Sequence, residues 1–334
     1  MNNAHSGSAP LVIRTPQDII SAIPYLLGFH PADSLVAIGC GGPRGTCALR
    51  FDLPHSGQAA SAGEYLATVL ARNQFTIVLL AGYGPGARVT PVMDATRDAL
   101  AVHGIEVREA LRIEDGRFWS YLCADQACCP VGGTPVEVGA LAARAVVDGR
   151  VAFTDRASLE ATVAPLDGPV REAMRGATRW AEDRVFDLVG EGLPLVRAMA
   201  GRVARGDPPP SDREIAMLGI VLTSLRVRDE AWVRIDPDRL QPHLDFWREV
   251  LIRVEPRYVP APACLLAYSA YVLGNGSLAN VALTRAARAD PAYTMTELIQ
   301  HAVATGLHPS EAKIRITPED LALAYLEDSG SQAA

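Results

Sequence analysis

Strand-like spacing ends near residue 165, and only helical spacing follows it. No motif in the chain constrains the fold as much. A two-residue rhythm and a 3.6-residue rhythm bury different faces, so a lasting switch between them marks two separate cores. The expectation is a mixed-sheet α/β domain over 11–165, then an all-helical domain over 166–334. Residues 1–10 are small and polar and read as a disordered tail. A length of 334 residues agrees with about two domains. With 49% hydrophobic and 21% charged residues, there is ample material for two cores.

The first half is organised around residues 24–54, PYLLGFHPADSLVAIGCGGPRGTCALRFDLP. Two short apolar runs joined by a Gly/Pro-rich turn predict a β-hairpin. Before it, Thr15-Pro16-Gln17-Asp18 carries a helix start: an N-cap, a proline for the first turn, and an acid at the positive end of the dipole. That helix should kink or stop near Pro24 and close on Gly28. After the hairpin come a helix from Gly63 to Asn73 and an apolar strand, FTIVLL, from residue 75 to 80. A glycine-rich loop then leads to a helix from Pro91 to His103. A strand over 105–113 comes next, turned by Asp115-Gly116 into a returning strand over 117–122. A last helix is expected over 136–148, capped by Gly149. Hairpins combined with helical crossovers give a mixed sheet.

The second half breaks at GDPPPSD (206–212), IDPD (235–238) and EPRYVPAP (255–262). Leu266, Ala267, Ala279, Leu283, Ala286 and Pro291 fall in the register of one tetratricopeptide-like unit. Alanines at those points let two antiparallel helices approach closely. One unit makes a repeat-like helix pair, not an array.

The net charge of −7 and the absence of a basic block argue against nucleic acid as a partner. No apolar run reaches the roughly 18 residues that a membrane span needs, and no secretion signal opens the chain, so a cytoplasmic location is expected. Six cysteines in such a chain point to thiols or a metal rather than a disulfide framework.

Four candidate sites stand out. Cys123, Cys128 and Cys129 place three soft ligands within seven residues, on a loop leaving a strand. Metal binding, a Cys123–Cys128 redox pair and simple packing all remain open. Adjacent Cys128 and Cys129 do not easily share one metal. A fourth ligand would have to come from Cys40, Cys47, His30 or His55, if the first hairpin lay beside this strand. His30, Asp33 and Ser34 resemble a catalytic set, but within five residues they cannot form a conventional relay without special geometry, and they read first as a turn that fixes the register of the next strand. Gly82, Gly84 and Gly86 lie between a buried strand and a helix, where an α/β sheet can hold a phosphate. The spacing is not that of a nucleotide-binding motif, and Pro85 removes one amide. Arg226, Arg228, Asp229, Glu230 and Trp232 read as a solvated face with local ion pairs, and Arg and Trp also serve as interface anchors.

The strings PYLLGFHPADSLV, RFWSYLCADQACCPVGGTP, VRDEAW and LLAYSAYVLGNGSLANVALTRAARADPAY resemble, in order and over nearly the whole chain, one family. It is an actinobacterial domain-of-unknown-function family with the signature PYLLGFHPxDSLV. The resemblance implies that Pro24 to Ser34 and Cys123 to Pro130 are family features. It implies no activity, cofactor or catalytic residue. The expected function is that of a binding or adaptor protein whose helical domain meets a protein partner. The alternative is an enzyme whose site forms where the GFHPADS, GYGPG and CADQACC loops converge.

Overall fold

Thr15 opens the first helix as the sequence leads one to expect. Its hydroxyl accepts from the Asp18 amide while the Asp18 carboxylate accepts from the Thr15 amide. The computed structural model describes residues 13–43, 45–137, 139–147, 150–184 and 187–331. The tail expected over residues 1–10 and the Gly149 cap lie outside the described residues.

Helix α1 (Pro16–Leu27) runs through Pro24 without stopping there, and Gly28 closes it in the left-handed conformation at φ 80°. Pro24 falls in the last turn, where its missing N–H removes a single bond. The hairpin is formed by β1 (Ser34–Gly42) and β2 (Gly45–Asp52). Next come α2 (Ala59–Arg72), β3 (Ile77–Tyr83), α3 (Gly86–Val102), β4 (Glu106–Glu114), β5 (Arg117–Ser120), the short β6 (Thr134–Pro135) and α4 (Ala140–Val147).

The described strands form one six-stranded mixed sheet in the order β2-β1-β3-β4-β5-β6. Among the described strands, only β3 and β4 form a parallel hydrogen-bonded pair. Strands β2 and β3 run the same way but flank β1, which is antiparallel to both. Leu35, Leu80, Leu66, Leu70, Met93 and Leu100 pack between the sheet and α2 and α3. Helix α1 reaches β2, β3 and α4, on the face of Val36, Ile38 and Ala81 that alternation leaves for it.

Several boundaries differ from expectation: α2 begins at Ala59 rather than Gly63, and β3 spans Ile77–Tyr83 rather than 75–80. Helix α3 begins at Gly86, five residues before Pro91, because the amides of Arg88 and Val89 bond back to the Pro85 carbonyl. Helix α4 begins at Ala140, because Thr134 and Pro135 extend the sheet edge and the Val136 amide bonds the Gly116 carbonyl.

The chain divides into two compact units, one through Leu159 and one from Glu160. Short α5 (Arg156–Ala161) spans that point. Beyond it every described element is helical. The elements are α6 (Gly168–Glu182), α7 (Leu188–Arg205), α8 (Asp212–Val221), α9 (Leu225–Val233), α10 (Leu240–Arg253), α11 (Pro260–Val272), α12 (Gly276–Ala289), α13 (Thr294–Ala304) and α14 (Pro318–Ser331). The three expected breaks separate α7 from α8, α9 from α10, and α10 from α11. Every residue of α11 is buried, so this helix is the axis of the second unit, with α10, α12 and α13 packed around it. Ala267 of α11 and Ala279 and Ala286 of α12 are fully buried where the repeat-like pair crosses.

Candidate functional site: three thiols at one end of the sheet

Strand β5 ends at Ser120, whose side chain shapes the loop after it. Its hydroxyl donates to Glu109 (2.8 Å) and accepts from the amides of Leu122 (3.1 Å) and Cys123 (3.2 Å). Asp125 then folds the loop on itself. Its carboxylate accepts from the Ala127 amide at 2.9 Å, and its carbonyl accepts from the amides of Cys128 (3.2 Å) and Cys129 (2.7 Å). Trp119 anchors the far side by donating from Nε1 to the Val131 carbonyl at 3.0 Å. The Arg112 guanidinium stacks on its ring at 3.8 Å. Gly133 passes so close beneath the indole that a Cβ would lie 2.5 Å from it.

The result is convergence: the sulfurs of Cys123, Cys128 and Cys129 all lie within 4.8 Å of one another. Adjacency in the chain does not keep the Cys128 and Cys129 sulfurs apart. Both sit in a turn with their amides on a single carbonyl, so their side chains do not point to opposite sides as they would in a strand. Cys128 is exposed and the other two are half-buried. Hydrogen bonding from Cys129 lowers the pKa of Cys123, and the same bond pushes Cys129 up to about 12. Cys123 therefore becomes a thiolate before Cys129 does.

The sheet order overturns the proposed fourth ligands. The first hairpin does not lie beside β5, because β3 and β4 stand between β1 and β5. Three strand spacings put roughly 14 Å between them. Among the described residues the cluster offers three ligands. On tetrahedral zinc, bonds of about 2.3 Å set sulfurs about 3.8 Å apart, so small side-chain rotations close this set on one ion.

The other loops behave differently. His30 is exposed, its amide bonds the Phe153 carbonyl (3.0 Å), and Phe29 pairs with Phe153. Asp33 adopts φ 44° and pairs with Arg88 at 2.7 Å. Ser34 is fully buried, and among the described residues its hydroxyl has no hydrogen-bond partner. Among those residues, too, no hydrogen bond links these three side chains into a relay. The carbonyl of Asp33 accepts from the Leu53 amide (2.8 Å) as β1 begins, which is the work of a register-setting turn.

Gly82 lies in β3, Gly84 in the turn at φ 134°, and Gly86 opens α3. A Cβ on Gly82 would sit 2.3 Å from Val89 Cγ1, so this glycine serves close packing of helix on strand. The GFHPADS and GYGPG loops do meet: a Cβ on Gly84 would lie 3.5 Å from Asp33 Oδ1. The CADQACC loop does not join them. The Tyr121 amide bonds Ala110, which pairs with Leu80, whereas Gly84 lies beyond the other end of β3. Four residues of strand separate the two levels, about 13 Å. The three-loop site is thus a two-loop contact and a separate thiol cluster.

In the helical unit, the row expected to be a solvated face is largely buried. Glu230 is 0% exposed and accepts from Arg197 (2.9 Å), Arg226 (2.9 Å) and Arg234 (2.7 Å). Arg228 is buried and holds Asp229 at 2.6 Å, and Tyr325 of α14 donates to Asp229 at 2.7 Å. The i, i+4 spacing of Arg226, Glu230 and Arg234 is legible in the sequence. The arrival of Arg197 from α7 is not.

Residues 16–310 match a family described as a domain of unknown function, DUF4192. The match spans most of the chain, and the chain belongs to that family. No curated protein and no solved structure matches it. No helix among the described residues is long and apolar enough to cross a membrane.

Proposed function

We propose that this protein is a zinc-binding adaptor, with the metal held by Cys123, Cys128 and Cys129 of the α/β domain and a protein partner met by the helical domain. The single observation behind this reading is the approach of three sulfurs to within 4.8 Å of one another on a loop tied down by Ser120, Asp125 and Trp119. Thiolates are soft ligands suited to zinc, and three of them leave one position for water or an incoming group. The reading carries a cytoplasmic location with it, since the ligands must stay reduced. It also takes the two domains to fold independently. Among the described residues, the enzyme alternative keeps the contacts of Asp33 with Gly84 and Arg88 between two loops, without a nucleophile there paired to a base.

Metal content is the direct test. Protein purified without chelator should carry close to one zinc per chain by native mass spectrometry, and zinc should shield the three thiols from alkylation. Cys128→Ser should lower zinc affinity by about tenfold or more, while Cys264→Ser, in the core of the helical unit, should not. Zinc below about 0.2 equivalents in the wild type removes the reading.

A further inference from the structure

Cys128 is the exposed member of the thiol cluster, and Cys123 and Cys129 lie half-buried beside it. Each of the three sulfurs lies within 4.8 Å of the other two. A disulfide needs its sulfurs about 2.05 Å apart, and side-chain rotation closes the gap where the backbone already brings two cysteines together. The loop does this. The Asp125 carbonyl accepts from the amides of Cys128 and Cys129, and Ser120 Oγ accepts from the amide of Cys123, so both ends are pinned.

Three thiols allow three pairings, and two of them are disfavoured. Cys128 and Cys129 are neighbours in the chain, and a bond between them would strain the trans peptide they share. A Cys123–Cys129 bond would join the two half-buried sulfurs and leave out the one that meets solvent first. Cys123 and Cys128 remain, with Cys128 open to an oxidant dissolved in water. Susceptibility to oxidation follows exposure. The other cysteines are less accessible: Cys264 is fully buried, with its sulfur 3.2 Å from Thr296 Oγ1, and Cys40 and Cys47 are half-buried in the first hairpin.

We propose that Cys128 is a peroxide-sensitive modification site whose oxidation closes a reversible Cys123–Cys128 disulfide and expels the metal. Two steps balance the chemistry. Cys128 Sγ attacks hydrogen peroxide, the O–O bond breaks, and a sulfenic acid and one water form. Cys123 Sγ then attacks Cys128 Sγ, the S–O bond breaks, and the hydroxyl leaves with the Cys123 proton as a second water. Two electrons pass from two thiols to one peroxide, which ends as two waters. On the zinc-loaded protein the ligands are thiolates, and solvent supplies both protons. Cys129 alone then faces the zinc, and one thiolate does not hold it. Excess thiol reverses the bond by exchange. The metal release rests on the zinc reading above, whereas the disulfide rests only on the approach of the sulfurs.

The full-length protein, stripped of metal and reduced, is treated with a small excess of hydrogen peroxide, alkylated and mapped by mass spectrometry. The intact chain should lose two hydrogens. Cys129 should be alkylated, while Cys123 and Cys128 should resist until dithiothreitol is added. Cys128→Ser should slow the loss of thiols about tenfold or more, whereas Cys129→Ser should form the same disulfide. Zinc-loaded protein should pass its metal to a chromogenic chelator in step with the disulfide and take it up again after reduction. No disulfide within the cluster, a Cys123–Cys129 bond, or an unchanged rate in Cys128→Ser overturns the modification site. A disulfide that forms while the zinc stays bound overturns the release. A disulfide in a protein that never held zinc supports the bond and removes the zinc reading alone.

Discussion

His243 and Glu230 show how burial redirects ordinary side chains. His243 lies on α10 with its Nε2 accepting from the Asp236 amide at 3.1 Å. Burial lowers its pKa from the usual 6.5, opposed by Asp236 and assisted by Arg239. The folded protein therefore holds His243 neutral at pH values where the unfolded chain protonates it. The unfolded state binds the extra proton, so stability is present above about pH 6.5 and declines as the pH falls through it. Urea unfolding at about pH 7.5 and about pH 5.5 should show this loss on the acid side. His243→Gln, which keeps an acceptor but does not titrate, should shrink the difference, and an identical pH dependence in that variant would sink the assignment. For Glu230, burial alone would raise the pKa, but hydrogen bonds from Arg197, Arg234 and Arg226 outweigh it and the pKa is lowered. The carboxylate stays charged because its partners are fixed around it.

At the scale of elements, the tightest constraint is the packing of α3 on β3. Gly82 faces Val89 so closely that any Cβ must displace it. Gly82→Ala should cost about 1–3 kcal/mol of stability, measured from urea midpoints. Combining it with Val89→Ala should cost less than the two single changes together, because the second removes the atom the first strikes. Strict additivity would show that the backbone absorbs the methyl group instead. The same contact explains why the sequence misplaces the start of α3. A glycine-rich stretch ahead of Pro91 has loop composition, yet the bonds from Arg88 and Val89 to Pro85 and the Arg88–Asp33 pair recruit it into the helix. The thiol loop is a parallel case. Three cysteines in seven residues are visible in the sequence, but their convergence depends on Asp125 and Ser120 folding the loop.

Across the whole molecule, the thiol cluster belongs to the first of the two units, and its ligand should act on that unit. A ligand that binds only the folded form raises the stability of the unit that holds it. Thermal unfolding should resolve two transitions. Zinc should raise the one belonging to the first unit and leave the other in place. A single transition shifted by zinc would show that the units unfold as one body.

Spacing, capping and turn chemistry act over a few residues and are written directly in the linear chain. They were enough for the class of fold, the hairpin, the capped first helix, the helical second half with its Ala-lined pair, and the presence of a cysteine cluster. Other features became visible only once the chain was folded. The sheet order keeps the first hairpin away from Cys123, the CADQACC loop stands apart from the other two, and Arg197 gathers with Arg226 and Arg234 on Glu230. Those depend on which distant segments share a core. Hydrophobic burial drives that choice without direction, so no local pattern encodes it.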